Sequence, residues 1–166
     1  MKKQAPDAID LLDADHLAVH ALFQAYRELV RTRASAVQRR TLAEEICLEL
    51  TIHAKLEQEL FYPAMREALH DEDLVDGAEE QHGSQREIVA RILAGSPDDA
   101  LYDQHVALLA EHVARHVREE REQVFNRALA ARLDLASLAR TINVRREELK
   151  AVAEALREDA LASALA

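Results

Sequence analysis

His53 and Glu57 stand four residues apart, and His116 and Glu120 repeat the pair further along the chain. A lone histidine precedes each pair: His16 before the first, His82 before the second. The separations are similar, 37 residues from His16 to His53 and 34 from His82 to His116. Four-residue spacing puts His and Glu on one face of a helix, one turn apart. Imidazole with carboxylate suits Fe, Mn, Zn or Co, whereas Ca and Mg prefer shells of oxygen alone. Four histidines and two carboxylates, converging from four helices, are enough to hold two such ions.

The pattern must be weighed against chance. Eight His and nineteen Glu in 166 residues yield about one His-x-x-x-Glu pair at random. A single histidine on an apolar helix face is more often a satisfied core residue than a ligand. What carries the argument is placement. Glu57 and Glu120 fall on stripes otherwise filled by Leu, Ile and Val, and a buried carboxylate is costly unless it is paired or metal-bound.

The elements that must position these residues are helices. Ala, Leu, Glu and Arg dominate, with only three Gly, three Pro and no Trp, so helix formers are plentiful and turn signals few. The first helix is expected from Asp7, with the stripe Ile9, Leu12, His16, Val19, Phe23, Tyr26 and Val30. The second is expected from about Val37 to Ala68. Its stripe is Leu42, Ile46, Leu50 or Glu49, His53, Glu57, Leu60 and Ala64, and Pro63 should kink or tighten its end. The third is expected from Glu72 to a stop at Gly95, with Val75, Ala78, His82, Gln85, Val89 and Ile92 inward. The fourth follows the turn Ser96 to Asp99, where an acidic residue can cap it. Its expected stripe is Leu101, His105, Leu108 or Leu109, His112, His116, Glu120 and Val124. The remainder, from Asp134, reads as a further, broken helix.

These expectations make an all-α protein. The predicted fold is an antiparallel up-down-up-down four-helix bundle over residues 1–131. A C-terminal helical extension, 132–166, would pack on the bundle or on a partner subunit. One domain is expected at 166 residues, with a core large enough to need no staples.

Composition excludes several classes. A net charge of -10 argues against sequence-independent nucleic-acid binding, which needs clustered Lys and Arg. Cys47 is the only cysteine, so there is no intramolecular disulfide and no thiolate zinc site. No apolar run reaches the ~20 residues that span a bilayer, and the N-terminus shows no secretory pattern, so no membrane role and a cytoplasmic location are expected.

With these residues in view, the chain resembles the hemerythrin-like family of HHE cation-binding domains, in a bacterial subgroup with fewer histidines. The matching stretches are D-A-D-H to His16, H-A-K-L-E-Q-E-L-F-Y-P from His53, E-E-Q-H to His82, and H-V-R-E-E-R-E-Q-V-F from His116. They span about residues 8 to 130. Aromatic residues follow each pair at a similar distance, Phe61 and Tyr62 after the first and Phe125 after the second. The resemblance implies a non-haem di-iron centre, oxo- or hydroxo-bridged, with Zn or Mn as other possible metals. It implies His16 and His53 on one iron, His82 and His116 on the other, and Glu57 and Glu120 as bridges. Oxygen-carrying hemerythrins have a further histidine one turn after the third-helix ligand, and here that position is Arg86. The departure implies a more open site, suited to redox chemistry with O2, H2O2 or NO rather than simple carriage.

The implied activities are peroxide decomposition or a ferroxidase-like reaction. The alternatives are a non-catalytic iron or oxygen sensor, an iron-handling protein and a structural zinc bundle. A homodimer is compatible with the helical tail. His112, His105 and His20 are candidates to supplement the site, against a reading as partly buried core or hydrogen-bonding residues. Tyr26 and Tyr62 could donate hydrogen bonds to ligands or be ordinary core aromatics. Cys47 reads as a small buried thiol, and His70 as exposed.

Overall fold

The computed structural model describes residues 5–163. The outer ends of the two expected units, residues 1–4 and 164–166, lie outside the described residues. The described residues are all-α, and their helices form a bundle. They are α1 (Ala8–Arg31), α2 (Ala36–Leu56), α3 (Tyr62–Leu69), α4 (Glu72–Ala94), α5 (Tyr102–Glu119), α6 (Asn126–Ala130), α7 (Leu135–Ala151) and α8 (Ala153–Ala162). Two π-helical turns, Glu57–Phe61 and Glu120–Phe125, join α2 to α3 and α5 to α6. Contacts run α1 to α2, α2 to α4, α4 to α5 and α5 back to α1, closing a four-membered ring. The connections at 32–35, 70–71 and 95–101 are short, which forces antiparallel neighbours.

Local chemistry sets the ends of these helices. Asp7 caps α1 by accepting from the Asp10 amide, and Asp10 returns the bond to the Asp7 amide. Ser35 and Gln38 close the same reciprocal box at α2. Asp71 and Asp134 cap α4 and α7 with side-chain oxygens. His70 ends α3 in the left-handed conformation, φ 52°. Gly95 does end α4, but in extended backbone rather than left-handed. A Cβ there would sit 3.1 Å from the Arg91 carbonyl and 3.3 Å from the Tyr102 ring, so glycine is needed for close approach.

Three expectations are corrected. No acidic side chain caps α5; Asp99 instead accepts from the Leu101 amide within the preceding turn. The inward stripe of α5 is Tyr102, Val106, Leu109, Val113 and His116, leading to Glu120. It therefore lies one position beyond the predicted Leu101, His105 and His112. Leu101 is exposed, and the two histidines are half-buried. Finally, Pro63 does not tighten the helix. The chain widens into a π turn before it, which relieves the clash between a proline ring and the carbonyl four residues back. The second π turn has no proline after it, so proline alone does not cause these turns.

The core has two apolar clusters. One contains Leu12, Leu56, Phe61, Met65, Val124 and Phe125, together with Ile142, Leu149 and Leu156 from α7 and α8. The other contains Val19, Phe23, Ile46, Leu50, Val89, Leu109 and Val113. Buried polar residues occupy the level between them: His16, His53, Glu57, His82, His116 and Glu120. α7 packs on α1 and α2, and α8 packs on α4 and α2. Among the described residues, no helix is long and apolar enough to cross a membrane.

Candidate metal centre

The polar layer brings all six predicted residues together, each no more than 5% exposed. They form two groups that share one residue. His16, His53, Glu57 and Glu120 place one ligand atom each within 4.8 Å of one another, as do Glu57, His82 and His116. Glu57 spans the two groups: Oε1 lies 3.1 Å from His53 Nε2, and Oε2 lies 3.0 Å from His82 Nε2. Glu120 directs Oε2 between His16 Nε2 at 3.2 Å and His116 Nε2 at 3.7 Å.

The outer ring nitrogens explain why the inner ones converge. His16 Nδ1 lies 3.3 Å from Asp13 Oδ1, His53 Nδ1 is 3.1 Å from Asp15 Oδ2, and His116 Nδ1 is 2.8 Å from Gln81 Oε1. An acceptor at Nδ1 holds the proton there and aims the Nε2 lone pair inward. Arg121 secures Asp13, and Arg146 of α7 secures Asp15 through both oxygens, at 2.9 Å each. Gln81 is steadied by its contact with Glu119. His82 differs, because its Nδ1 is buried with no hydrogen-bond partner.

The inner face has too few protons of its own. His16 and His53 bring their Nε2 atoms to 3.1 Å, and His82 and His116 do the same. Two bare lone pairs at that distance repel, so a proton or a metal ion must lie between them. Glu57 Oε1 and Glu120 Oε2 are buried without any properly directed hydrogen bond, despite their nearness to imidazole. Desolvation of an unpaired carboxylate costs several kcal/mol by order of magnitude. Orphaned carboxylate oxygens facing convergent imidazole nitrogens fit a transition-metal ion, and the mixed N and O donor set matches that class.

Protonation follows the same geometry. Burial pulls His53 down, but the facing Glu57 charge and the hydrogen bond to Asp15 outweigh it and raise its pKa to about 10. Burial would raise Glu57, yet the facing His53 charge and the other imidazoles close to its oxygens hold it well below the carboxylate range. His82, where burial prevails, is lowered.

Tyr62 was read from sequence as either a hydrogen-bonding group or a core aromatic, and it is both, with its ring in the apolar core and its hydroxyl bonded. Its buried hydroxyl can donate to Glu57 Oε2 at 3.0 Å or Glu120 Oε1 at 3.1 Å. Burial and these two carboxylates push the phenol well above its usual pKa, so it stays protonated as a donor. The π turn makes this possible. In an α-helix the residue five along points roughly 140° away, whereas an i→i+5 turn returns it over the first. Phe125, five beyond Glu120, returns likewise and stacks on the His16 ring at 5.9 Å.

Other candidates lie elsewhere. Tyr26 donates to Asp103 at 2.6 Å, remote from the layer. His20, His105 and His112 belong to neither ligand group. Cys47 is a free buried thiol, its pKa pushed up to about 12 by burial. Sequence reasoning passed over Asp13, Asp15, Gln81 and Arg146. Asp13, Asp15 and Gln81 adjoin His16 or His82 in sequence, but nothing local marked Arg146.

Comparison with known proteins agrees with this geometry. The sequence matches the hemerythrin HHE cation-binding domain over residues 7–128. A DNA nickase from Nostoc sp. (strain PCC 7120) is 30% identical over 123 residues, covering 74% of this chain and 34% of that protein. The chain thus spans about a third of the length of that relative. A hemerythrin HHE cation-binding domain-containing protein from Mycobacterium kansasii has the same fold, with a TM-score of 0.75 at 20% identity, over 94% of this chain and 99% of the other. With the match covering most of its length and the histidine and glutamate clusters at the bundle's centre, this chain belongs to the hemerythrin HHE cation-binding family.

Proposed function

We propose that the centre holds a pair of iron ions and that the protein reacts with a small oxidant, O2, peroxide or nitric oxide. The observation that carries this reading is Glu57, which offers one oxygen to each histidine group. His16, His53 and Glu120 would complete one position, and His82 and His116 the other. Iron would supply reversible electron transfer at these positions when bound.

The protein's own contribution is orientation, exclusion and proton placement. Asp13, Asp15 and Gln81 set three imidazoles in the tautomer that binds metal. The two apolar clusters keep bulk water away on either side of the polar layer. Tyr62 keeps one proton within reach of Glu57 Oε2 and Glu120 Oε1, where charge must be balanced as the centre reacts. Peroxide decomposition is the activity this supports best. Metal analysis should find two irons per chain, with near-UV charge-transfer absorption. Added hydrogen peroxide should yield oxygen and water, and Glu57→Ala should abolish this. One colourless zinc per chain would instead indicate a structural bundle.

One observation favours a second reading, that of a sensor. Arg146 ties α7 to the centre through Asp15 and His53. If peroxide persists while proteolysis of the segment after Asp134 changes with iron, the tail is an output element and the protein is not an enzyme.

A further inference from the structure

We propose that the cavity behind His82 is a binding site for a small anion, a carboxylate or comparable oxyanion, taken from solution. The cavity measures about 130 Å³ and lies between α2, α4 and α8, with Leu156 and Asp159 of α8 on its outer side. At the ~30 Å³ that water occupies in the liquid, it has room for about four waters or one small anion.

Its polar lining carries several donors and, at its outer rim, one carboxylate, the exposed Asp159. Gln85 is 7% exposed and its amide nitrogen has no partner. The Nδ1 of His82 is likewise buried and orphaned. Lys55 and Arg86 line the same space. Neither forms an ion pair among the described residues, although most arginines of this chain are paired. Arg86 folds back along α4, its Nη2 3.8 Å from where a Cβ on Gly83 would lie. Thr51 adds no donor, because its hydroxyl is given to the Cys47 carbonyl at 2.7 Å. Buried donors without acceptors are costly, at about 1–3 kcal/mol each, so an acceptor placed inside the cavity beside Gln85 and His82 would offset that cost.

The other histidines show what that acceptor would do. His16 and His53 have an aspartate at Nδ1, and His116 has a glutamine carbonyl. His82 alone has none from the chain. An anion in the cavity would take this place, accepting from His82 Nδ1, Gln85, Lys55 and Arg86. Arg86 then serves the anion and not the metal. Only the His82 contact rests on the metal-binding reading, since a metal at Nε2 requires the proton on Nδ1. The other three donors are present in either state.

The test is calorimetric titration of the full chain with sodium formate, at constant ionic strength balanced by chloride, metal-free and zinc-loaded. One saturable site is expected in both states, tighter after loading. Arg86→Gln and Gln85→Leu should each weaken it about tenfold or more, as loss of one donor to a charged group does, at unchanged helicity. Arg118→Gln, an exposed charge on α5 away from the cavity, should leave it unchanged. No saturable site in the metal-free chain, or wild-type affinity in Arg86→Gln, overturns the proposal. So does an equal loss in Arg118→Gln, which would indicate general charge attraction. If zinc does not load, the metal-binding reading fails while the metal-free titration still decides the anion site. If zinc loads without tightening formate, the His82 contact is wrong.

Discussion

Tyr62 shows how much a single side chain can depend on its setting. Its hydroxyl is the donor shared by Glu57 and Glu120, and both carboxylates are buried. A hydrogen bond to a charged group contributes ~1.5–3 kcal/mol, so Tyr62→Phe should lower the unfolding free energy of the metal-free protein by about that amount, measured in urea. The six clustered residues were legible from type and spacing, whereas the role of Tyr62 was not. At α-helical pitch a residue five beyond Glu57 faces elsewhere, and a phenol on an apolar helix reads equally well as core. His53 gives a pH prediction. Its folded pKa of about 10 lies above the ordinary histidine value of 6.5, so its stabilising contribution is complete below 6.5 and is lost as pH rises towards 10. The depressed Glu57 contributes above about 4.5 and loses its contribution on acidification. Metal must displace the His53 proton, so loading should release protons. The thermal stabilisation added by metal should grow between pH 6.5 and 9 while the metal-free protein weakens. A metal increment that shrinks over that range would show that His53 is not a competing site.

At the scale of elements, the two π turns decide which residues follow the glutamates inward. A continuous α-helix would bury Leu60 and Ala64, and these were expected; the π turn buries Phe61, Tyr62 and Met65 instead. Deleting Glu122, exposed in the second π turn, would restore α pitch with Phe125 only four beyond Glu120, so Phe125 would keep its place over His16. Circular dichroism should show the helix retained and metal analysis no loss of bound metal, whereas inserting one more residue there should turn Phe125 away and lower it. α7 has its own link to the centre. Arg146→Gln would free Asp15, the acceptor that orients His53, and should weaken metal affinity about 10–100-fold in competition with a chelator. Asp13 with Arg121 gives an internal comparison on the other histidine of that group. Helix periodicity revealed a broken helix after Asp134, though not that the break falls at Val152, and a surface arginine in sequence carries no mark of its partner 131 residues away.

For the whole molecule, the arrangement is a polar layer between two apolar clusters, with α7 and α8 completing one of them. Leu156 is 6% exposed and covers the His82 side. Leu156→Ala should destabilise by ~2–5 kcal/mol in urea unfolding and speed loss of metal to a chelator, because a cavity would open beside Gln85. A surface-like cost below ~0.5 kcal/mol would mean that α8 does not hold this side closed. Residue types and their periodicity were enough to determine a helical bundle, the four helices that carry the clustered histidines and the pairing of histidine with glutamate within a helix. These follow from local geometry, since residues three and four apart share a face whatever surrounds them. Tertiary structure decided which histidines face each other, which carboxylate oxygen serves which group, and that Arg146, Tyr62 and the cavity behind His82 belong to the centre. Those relations depend on helix register across the bundle and on two π turns. Both are set by packing, and spacing along the chain does not encode them.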